Sequence, residues 1–565
     1  MCGLLAAACT IHERVRSAAQ TVAAPPARSV CVLFFDGLST EAFERLLAEG
    51  ALPTLKKEIV DRGLSFDTAV ASVPSETYPN LAAMLTGLLP GHHGIPANIW
   101  LDRRLRLREA HTNIFRNYSA GDFLAGDAKT LYERLPADSV AITTPIARGV
   151  TVHAKNLVAL IASYARNDWG FLDRKTLDDL GDAYAGAAEV GRLPALAWAH
   201  LVGPDEVAHS DGPESAAFRA TMENIDKAFA RFLRRLKRRR IDDRILFVLV
   251  GDHGNRSYRT YVNAEELVHR ALMFHPTEAD CGTEGCVLVP AKGKPEKSYD
   301  VGDAMIAVGA YRGVMIWLPA NRPPEELPAA FKTRKKRTPP KKAATPSPIR
   351  VPERSELATT LARAPEIQLV FTRGLASGRV EVYGPRGRAE IVRQERDDAP
   401  SLYAYRVLEG TDPLGYSALA ALKRMEGGFF TADAWLRESA PSEFPDLVVQ
   451  LPEFFDSPRA PDLFLSPRNG YGFTSGKAAG HGSLSRSETV VPLVFAGPRI
   501  AHAHRPVARI VDLAPTLLSY LGVPFDPDEM DGEDLAIATL PAPPPAPLPP
   551  APEPAGGDES RMILQ

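Results

Sequence analysis

Apolar and polar residues along the first half of this chain follow the pattern of buried strands separated by amphipathic helices. The apolar run 30–35 predicts a buried strand, and Phe43, Leu46 and Leu47 then share one face of a predicted helix. A long amphipathic helix around residues 225–236 leads into a second apolar run. Apolar strands that alternate with helices are typical of a parallel sheet covered by helices on both faces. The chain from Ser29 to about Ala320 is therefore predicted to be an α/β core, its first part placed at 29–320.

Composition then divides the rest of the chain. Residues 321–354 are rich in Pro, Lys and Arg and are interpreted as an exposed linker. Residues 355–439 contain a short helical stretch and two or three β-like runs, which predicts a small inserted α+β region. Apolar runs at 446–451 and 490–496 are interpreted as strands that resume the sheet, so the second part of the core is placed at 440–538. The β-like runs of the inserted region are residues 367–372, 380–383 and 403–408.

The two ends of the chain differ in character from the core. Residues 1–28 are rich in Ala and lack the basic start of an ordinary signal peptide; Leu5 to Cys9 loosely resembles the cleavage box of a bacterial lipoprotein, although the stretch before it is shorter than in such signals. This predicts export to the periplasm or the cell exterior, with lipid attachment at Cys9, and a cytoplasmic location is the alternative. Residues 539–565 are mostly Pro and Ala and are predicted to be disordered. No segment has the run of roughly 18 apolar residues that a transmembrane helix needs.

Net charge and cysteine content limit the partners and the compartment. A net charge of -3 with 24% charged residues gives no general attraction to nucleic acid or to an anionic membrane. The basic cluster 234–240 is interpreted as a solvated helix end, because cations stabilise the last turn of a helix. Cys281 and Cys286 enclose a short loop that contains two glycines, and a disulfide and two unrelated thiols explain them equally well. Cys31 lies in the first predicted strand as a buried free thiol. The sequence does not predict an oligomeric state.

The candidate chemistry lies in several short motifs that are far apart in the chain. Asp36 and Asp252 each follow directly on a predicted buried strand, where open α/β sheets place their sites. Thr77 precedes the helical pattern 81–85, and the N–H groups at the start of that helix favour negative charge. A threonine hydroxyl can attack phosphorus when a metal ion holds it as an alkoxide. The candidate metal ligands are Asp36, Thr77, Asp205, His209, Asp252, His253 and His481.

These motifs resemble those of the alkaline phosphatase superfamily, and within it the nucleotide pyrophosphatase/phosphodiesterase, or type I phosphodiesterase, family. The resemblance covers roughly residues 29–320 and 440–535 and implies a central, mostly parallel sheet covered by helices on both faces. The residues that carry it are Phe34-Phe35-Asp36-Gly37, Pro74 to Asn80, Leu85-Thr86-Gly87, His93-Gly94-Ile95, Asp205 to His209, Gly251-Asp252-His253-Gly254 and Gly480-His481-Gly482.

The resemblance also implies a site for two zinc ions about 4 Å apart, with manganese or iron as substitutes. It assigns Asp205, His209 and His481 to one ion, and Asp36, Asp252, His253 and the Thr77 oxygen to the other. It further implies attack by Thr77, a phospho-threonine intermediate, and an oxyanion stabilised by the Asn98 amide and the Thr77 N–H. The i,i+4 pair Asp205 and His209 would share a helix face, although Gly203-Pro204 indicates a loop before the helix starts.

Each motif has a plainer explanation when it stands alone. An aspartate after a strand is most often a helix cap, and Asp-His-Gly is usually a turn. The order and spacing of all the motifs favour a metal-dependent hydrolase over these separate explanations. Five other histidines are given structural roles: His92 facing solvent, His93 in a turn, His200 packed in the core, and His269 and His275 at the surface.

The substrate is predicted to be a small phosphate ester or nucleotide. Thr77-Tyr78-Pro79-Asn80 lacks both the Cys or Ser and the Arg of the sulfatase motif, which argues against sulfate esters. A phosphomonoester dianion needs extra positive charge, for which Arg148 and Lys155 are candidates without a clear Lys-x-Arg pair. A phosphodiester or nucleotide-type pyrophosphate is therefore favoured. A phosphomonoesterase is the alternative, and a binding module without turnover is a third possibility.

Overall fold

A computed structural model describes residues 10–21, 28–102, 107–110, 117–135, 138–273, 306–309, 311–318, 353–374, 376–397 and 399–538. The α-helices are α1 (Ile11–Thr21), α2 (Thr40–Ala48), α3 (Pro53–Glu58), α4 (Thr77–Thr86), α5 (Pro90–His93), α6 (Leu131–Arg134), α7 (Leu157–Arg166), α8 (Trp169–Glu189), α9 (Gly203–Asp211), α10 (Ala216–Arg239), α11 (Ala264–Met273), α12 (Arg354–Ala362), α13 (Ala420–Met425), α14 (Ala432–Ser439), α15 (Leu447–Asp456), α16 (Arg486–Thr489) and α17 (Leu513–Leu521).

The β-strands are β1 (Ser29–Phe35), β2 (Leu64–Val70), β3 (Ile99–Asp102), β4 (Leu107–Ala110), β5 (Ser139–Ile142), β6 (Val152–Ala154), β7 (Leu196–Leu201), β8 (Ile245–Gly251), β9 (Arg256–Tyr261), β10 (Ile306–Gly309), β11 (Val314–Trp317), β12 (Ile367–Arg373), β13 (Arg379–Gly384), β14 (Gly387–Arg396), β15 (Ala399–Gly410), β16 (Phe430–Thr431), β17 (Leu463–Pro467), β18 (Gly470–Gly472), β19 (Ala479–Gly480), β20 (Val490–Val491), β21 (Leu493–Ala496) and β22 (Ala503–Arg509). Four predictions fall on residues outside the described ranges: nearly all of the linker 321–354, the tail 539–565, the lipid site at Cys9, and the Cys281 and Cys286 pair.

A nine-stranded, mostly parallel sheet forms the centre of the molecule. Its strands run in the order β20, β2, β21, β8, β1, β7, β5, β6, and β22 also pairs with β2. The strands at the middle of the sheet, β8, β1, β7 and β5, are parallel to one another, whereas β21 is antiparallel to both β8 and β2. The predicted strand 30–35 and the second apolar run of the sequence, residues 245–250, are thus adjacent strands, and their carboxyl ends lie at the same edge.

The two faces of this sheet bury different residues of the same strand. Along β1, Val30, Val32 and Phe34 lie in one hydrophobic core, with residues of α4, α15 and α17. The alternate residues, which include Cys31, lie in the other core, with residues of α2, α8 and α10. Full burial of each large apolar side chain contributes roughly 1.5–3 kcal/mol. The predicted α/β core with helices on both faces is confirmed.

A second, antiparallel sheet contains the predicted inserted strands. Its order is β10, β11, β17, β12, β13, β14, β15, β16, and β12, β13 and β15 correspond to the three β-like runs of the sequence. The sheet also includes β11 and β17, which lie before and after the region 355–439. The inserted region is therefore joined edge to edge to flanking segments, and the exact division of the chain into domains stays a prediction.

The predicted strand 446–451 is wrong, because these residues begin helix α15. Every residue from Leu447 to Phe455 is buried, so the apolar residues are not confined to one side of the helix, and the run 447–451 looks like that of a buried strand. Asp446 stands at the helix start with a left-handed φ of 62°. Its carboxylate accepts two hydrogen bonds from Arg509, at 2.7 Å from Nε and 2.8 Å from Nη2. This buried, bidentate pair fixes the start of the helix against β22.

Part of the predicted N-terminal segment belongs to the folded body. Helix α1 packs against α8 and buries Val15 and Ala19. The Arg14 guanidinium donates to the His153 carbonyl at 3.0 Å. Among the described residues, no helix combines the length and the apolar character needed to cross a bilayer.

The basic end of α10 makes ion pairs with neighbouring segments. Arg235 pairs with Asp182, and Lys237 donates to Glu58 at 2.9 Å. These contacts support the interpretation of the basic cluster as a helix end that is satisfied within the protein.

His92 was predicted to face solvent, and that prediction is wrong. Its ring is only 32% exposed, and its Nδ1 lies 2.7 Å from the carboxylate of Asp531. Its Nε2 lies 3.3 Å from Glu453 and 3.7 Å from Asp456, and both of these carboxylates also pair with Arg393. Burial lowers the pKa of His92, but the hydrogen bonds and charges of the three carboxylates raise it to about 10. The histidine therefore joins α5 to α15 and to the segment after α17 as a charged group.

We expect the replacement His92→Gln to destabilise the protein in a pH-dependent way. Because folding raises the pKa of His92 from 6.5 to about 10, its stabilising effect is complete below pH 6.5 and is lost as the pH rises through 10. Thermal unfolding between pH 6 and pH 10 should show the largest loss of Tm at pH 6 and little loss at pH 10. Asp531→Asn should give the same profile, and the double variant should add little. An equal loss of Tm at every pH would contradict the ionic role.

Candidate metal centre

Asp36 and Asp252 meet because of the register between two parallel strands. Phe35 of β1 pairs with Gly251 of β8, so the next residue of each strand leaves the sheet at the same edge. The Gly37 N–H donates to the Asp252 carboxylate at 3.0 Å. Gly37 has a φ of 71°, and a Cβ there would lie within 2.8 Å of atoms of Asn255 and Asp205. Only glycine fits this turn.

Helix α9 brings Asp205 and His209 to the same edge. Strand β7 ends at Leu201 beside the end of β1, and α9 begins at Gly203 with a proline in its first turn. The predicted loop before the helix is absent, so the i,i+4 pair shares one helix face. The His209 Nε2 lies 3.1 Å from an Asp205 carboxylate oxygen.

His481 reaches the site from the loop after β19 and is joined there to the segment that precedes Thr77. Its Nδ1 lies 2.9 Å from the Ser75 carbonyl. The Ser75 hydroxyl donates to the Ser483 carbonyl at 2.6 Å and accepts from the Gly482 N–H at 2.9 Å. Three hydrogen bonds thus connect segments about 400 positions apart in the sequence.

The three candidate histidine ligands are oriented in the same manner. The Nδ1 of His209 lies 3.0 Å from the Ala479 carbonyl, and that of His253 lies 3.3 Å from the Gly254 carbonyl. His481 has the equivalent contact with Ser75. A carbonyl at Nδ1 fixes the proton there and leaves the Nε2 lone pair to bind a metal ion.

At this edge of the sheet, two groups of ligand atoms are close enough together to hold metal ions. One consists of Asp36, Asp252 and His253, and the other of Asp205, His253 and His481, with the ligand atoms of each group within 4.8 Å of one another. His253 belongs to both groups, and His209 adjoins the second through Asp205. The structure therefore brings all the predicted aspartate and histidine ligands together.

The electrostatics of this cluster are those of a site for divalent cations. Burial is the main cause that raises the pKa of both Asp36 and Asp252 well above the usual range, and the charge of a neighbouring aspartate adds to it. One oxygen of the Asp252 carboxylate is buried and has no hydrogen-bond partner within the described structure. Buried carboxylates need a counter-charge, and imidazole with carboxylate ligands suits zinc. The residues present thus fit the metal pair that the sequence motifs imply.

Thr77 is the first residue of α4 and lies beside this cluster. Its Oγ1 is 3.4 Å from the Asp36 carboxylate and 3.2 Å from the His253 Nε2. The N-terminus of α4 therefore holds a hydroxyl next to groups that can bind a metal, as the sequence predicts.

Asn98 is fixed to both neighbours of Thr77. Its backbone N–H donates to the Glu76 carboxylate at 2.6 Å, and its Oδ1 accepts from the Tyr78 N–H at 2.9 Å. Burial raises the pKa of Glu76 to about 7. Because the amide oxygen is used in this bond, the NH₂ end of Asn98 is the end that can donate to a phosphate oxygen.

A fully buried ion pair supports the loops that carry His253 and His481. The Arg312 Nε donates to the Glu488 carboxylate at 2.6 Å, and the Arg312 backbone N–H donates to the His481 carbonyl at 2.7 Å. The Glu488 carbonyl in turn accepts from the Gly254 N–H at 2.8 Å. One pair of charges therefore positions two ligand-bearing loops.

Sequence reasoning missed two residues that bind the ligand carboxylates. The Asn255 side chain donates to Asp205 at 2.9 Å, and the His200 Nε2 donates to Asp36 at 2.8 Å. Asn255 directly follows the Asp-His-Gly motif, and this adjacency is a sequence signal by which it could have been identified. His200 was predicted to be packed, and its ring does stack on Phe34, but its contact with Asp36 could not be read from the sequence. Burial lowers the pKa of His200 to about 3, so it donates as a neutral ring.

Three further side chains lie close to the ligands. The Tyr164 hydroxyl donates to the Glu206 carboxylate at 3.3 Å, and Glu206 is the neighbour of Asp205. Tyr311 stacks on the His209 ring with centroids 3.7 Å apart. Glu206 lies within the Asp205 to His209 motif but has no role assigned from the sequence, and no motif pointed to Tyr164 or Tyr311, because their roles depend on which elements meet at the site.

The other candidates from the sequence lie in structural contacts or outside the described side chains. His93 is buried and has a structural contact, as predicted, but it is the last residue of the short helix α5 and not part of a turn; its ring accepts from the Ile95 N–H at 3.2 Å. Arg148 pairs with Glu133 at 2.9 Å, and the Lys155 ammonium lies 5.3 Å from the centre of the Tyr118 ring. The side chains of His269 and His275 are not among those described.

Comparison with known proteins gives the following matches. A sequence profile of the type I phosphodiesterase / nucleotide pyrophosphatase family matches residues 30–381. An ectonucleotide pyrophosphatase/phosphodiesterase of Caenorhabditis elegans is 24% identical over 239 residues, which are 42% of this chain and 30% of that relative. The matched stretch thus spans less than a third of the relative's length.

Solved structures of ectonucleotide pyrophosphatase/phosphodiesterase 5 share the fold. An inactive murine form in complex with AMP has a TM-score of 0.50 and 13% identity, and the match covers 90% of this chain and 97% of that one. The human protein gives a TM-score of 0.49 at 13% identity, with the same coverage. The profile match covers more than half of the chain, and the chain therefore belongs to the type I phosphodiesterase / nucleotide pyrophosphatase family of the alkaline phosphatase superfamily.

Proposed function

We propose that the protein is a metal-dependent hydrolase of phosphodiesters or nucleotide-type pyrophosphates that works through a phospho-threonine. The observation that carries this proposal is the Thr77 hydroxyl, which lies at a helix N-terminus 3.2 Å from His253 and 3.4 Å from Asp36. Two zinc ions are proposed as cofactors, with manganese or iron as substitutes. Asp205, His209 and His481 would hold one ion, and Asp36, Asp252 and His253 the other.

The chemistry of the proposed reaction follows from the positions of these side chains. Bound zinc would lower the pKa of the Thr77 hydroxyl and of a water molecule and offset the charge of the phosphate. The Thr77 Oγ forms a bond to phosphorus as the bond from phosphorus to the leaving oxygen breaks, and the threonine proton passes by way of solvent to the leaving oxygen. Water then adds to phosphorus as the bond to Oγ breaks. One proton of this water returns to Oγ and restores the hydroxyl, and the phosphomonoester product leaves. The Asn98 NH₂ group and the Thr77 N–H would donate to the developing oxyanion.

The charges beside the site favour a phosphodiester over a phosphomonoester. A monoester dianion carries one more negative charge than a diester and needs an additional cation. Arg148 is engaged by Glu133, and Glu206 instead places a carboxylate next to Asp205. The carboxylates of Asp205 and Glu206 both help to raise the pKa of Asp36, after the larger effect of burial, so their charges act at the site. A phosphomonoesterase remains the second candidate.

The family indicates which class of natural substrate to test first. Its name and the AMP-bound murine relative make a nucleotide diester a suitable first substrate to test. A side-by-side comparison of an aryl phosphodiester, an aryl phosphomonoester and an aryl sulfate with zinc-loaded protein would separate the reaction classes. Two bound metal ions without hydrolysis of any of the three esters would favour a binding module without turnover.

Replacement of Thr77 by alanine should abolish turnover without removing the metals. The expected loss in kcat is roughly 10³-fold or more, because the nucleophile is gone while the aspartate and histidine ligands are unchanged. Two measurements check this prediction. One is the steady-state rate with an aryl phosphodiester, and the other is the zinc content of the protein by elemental mass spectrometry.

Thr77→Ser is the matched control, since it keeps a hydroxyl at the same position. It should retain turnover and form a phospho-serine that can be trapped by acid quenching and located by peptide mass spectrometry. Full activity in Thr77→Ala would show that another group attacks phosphorus.

Replacement of Glu206 by glutamine should relax the discrimination against phosphomonoesters. Removing one carboxylate near the phosphate should raise kcat/KM for the aryl monoester by roughly ten-fold relative to the diester. The ratio of the two kcat/KM values, measured at one pH and one zinc concentration, is the readout. Glu443→Gln, at a surface carboxylate paired with Arg256, should leave the ratio unchanged. An unchanged ratio in Glu206→Gln would remove Glu206 from substrate selection while leaving the proposed reaction intact.

A further inference from the structure

The C-terminal end of helix α10 carries more positive charge than a helix end requires. Six of the seven residues 234–240 are Arg or Lys. Arg235 and Lys237 make the ion pairs described above, whereas the other four make no ion pair and no side-chain hydrogen bond with any residue that the structure describes. A helix dipole places only about half a negative charge at the C-terminus, so it does not account for four further cations. We name these four the α10 basic patch: Arg234, Arg238, Arg239 and Arg240.

The side chains of the α10 basic patch are available to a partner. All four are at least partly exposed, and the two acidic residues that follow, Asp242 and Asp243, offset only part of their charge. Arg240 ends the helix with a φ of 56°. This left-handed conformation favours glycine, which is the usual residue at such a helix end. An arginine at this position is therefore better explained by what its side chain contacts than by the backbone conformation.

The α10 basic patch lies at the opposite edge of the central sheet from the metal centre. Helix α10 leads through residues 242–244 into β8, whose first residue Ile245 pairs with Ser29, the first residue of β1. The ligands Asp36 and Asp252 follow the other ends of the same two strands. A strand of this length spans about 20 Å, so a partner on the patch leaves the metal centre uncovered.

Helix α1 lies at the same edge of the sheet as the patch. The His12 Nε2 lies 2.9 Å from the carboxylate of Glu189 at the end of α8, and the Arg192 guanidinium donates to the Ala19 carbonyl at 3.1 Å. Arg192 belongs to the segment that joins α8 to the start of β7, and α8 also packs along α10. Lipid attachment at Cys9, which the sequence predicts, would therefore bring a membrane to the edge that carries the patch.

We propose that the α10 basic patch docks the protein on the surface of a membrane that contains anionic phospholipids. Clusters of four or more Arg and Lys on an amphipathic helix are typical of binding to such lipids, and each cation contributes roughly five-fold to the affinity. Guanidinium groups also match the geometry of the lipid phosphates. The docked protein would present its metal centre away from the bilayer, open to soluble substrates. This inference does not depend on the proposed function.

A membrane fits the patch better than a nucleic acid does. Proteins that bind single strands stack the bases on exposed aromatic side chains, but Phe218, Phe229 and Phe232 of α10 are all buried. Duplex DNA is read by a helix or ribbon that enters a groove, whereas α10 is packed into the protein core from Phe218 to Leu236. A flat anionic surface requires only a cluster of cations at the helix end.

Co-sedimentation of the full-length protein with vesicles tests the proposal. One set of vesicles is pure phosphatidylcholine, and the other contains about 30% phosphatidylglycerol as the anionic lipid. The readout is the ratio of the two partition coefficients, so a lipid chain attached to the protein would not change it. The wild-type ratio should be roughly 100-fold or more at low ionic strength and should fall as salt is added.

The triple variant Arg234→Gln, Arg238→Gln and Arg239→Gln should lose roughly 100-fold of this ratio, at about five-fold for each arginine. Its Tm and its rate of hydrolysis of an aryl phosphodiester, measured without vesicles, should equal those of the wild type, because the patch is far from the metal centre.

The triple variant Arg363→Gln, Arg386→Gln and Arg424→Gln is the matched control. These three arginines are also exposed, make no ion pair among the described residues, and lie in the part of the chain that forms the second sheet. The control removes the same amount of charge from a different place and should keep the wild-type ratio.

Three results would overturn the proposal. The first is a wild-type ratio near one, and the second is a patch variant that keeps the wild-type ratio or loses no more than the control does. The third comes from a titration with a DNA duplex of about 20 base pairs at the same salt. Binding to DNA that the patch variant loses, without a preference for anionic vesicles, would make the patch a nucleic-acid site. Absence of ester hydrolysis would refute the proposed function alone, since vesicle binding is measured independently of turnover.

Discussion

Three buried carboxylates at one edge of the sheet are the constraint on which the rest of the site depends. Asp36, Asp205 and Asp252 converge where water is excluded, and a buried carboxylate without a counter-charge is strongly unfavourable. Burial raises the pKa of Asp36 and Asp252, whereas His209 and His481 lower the pKa of Asp205 despite its burial. Nearby histidines thus compensate one of the three charges. The remaining charge is what a pair of divalent cations would neutralise.

The fold holds these like charges together by means that do not depend on the metals. The register between β1 and β8 fixes Asp36 beside Asp252, and the backbone N–H of Gly37 donates to the second of them. The Arg312 and Glu488 pair then holds the two histidine-bearing loops. Breaking a fully buried ion pair of this kind typically costs about 3–5 kcal/mol, so the loops are strongly tied to each other. These contacts within the protein position the ligands, as a selective metal site requires.

How much of this could be predicted from the sequence depends on how local each feature is. Asp36 and Asp252 were predictable because a buried strand followed by an acidic residue is a signal contained in a few positions. The helix α15 was not, because an apolar run that is buried on all sides has the same appearance as a buried strand. The environment of His92 could not be predicted for a different reason. Its partners Glu453 and Asp531 come from distant elements that only the tertiary structure brings near. Pairings between distant elements, such as Glu206 with Tyr164, lie beyond the reach of a single sequence.

The site therefore has a rigid centre, formed by the candidate metal ligands and predictable from local motifs. Around it lies a margin, the side chains next to those ligands, whose positions depend on packing. The centre is constrained by charge, since each ligand carboxylate needs both its cation and its second hydrogen-bond partner. The margin has no such requirement, and an exposed residue such as Val158 can vary with little effect on the fold. Differences in substrate within this family are therefore expected to arise in the margin.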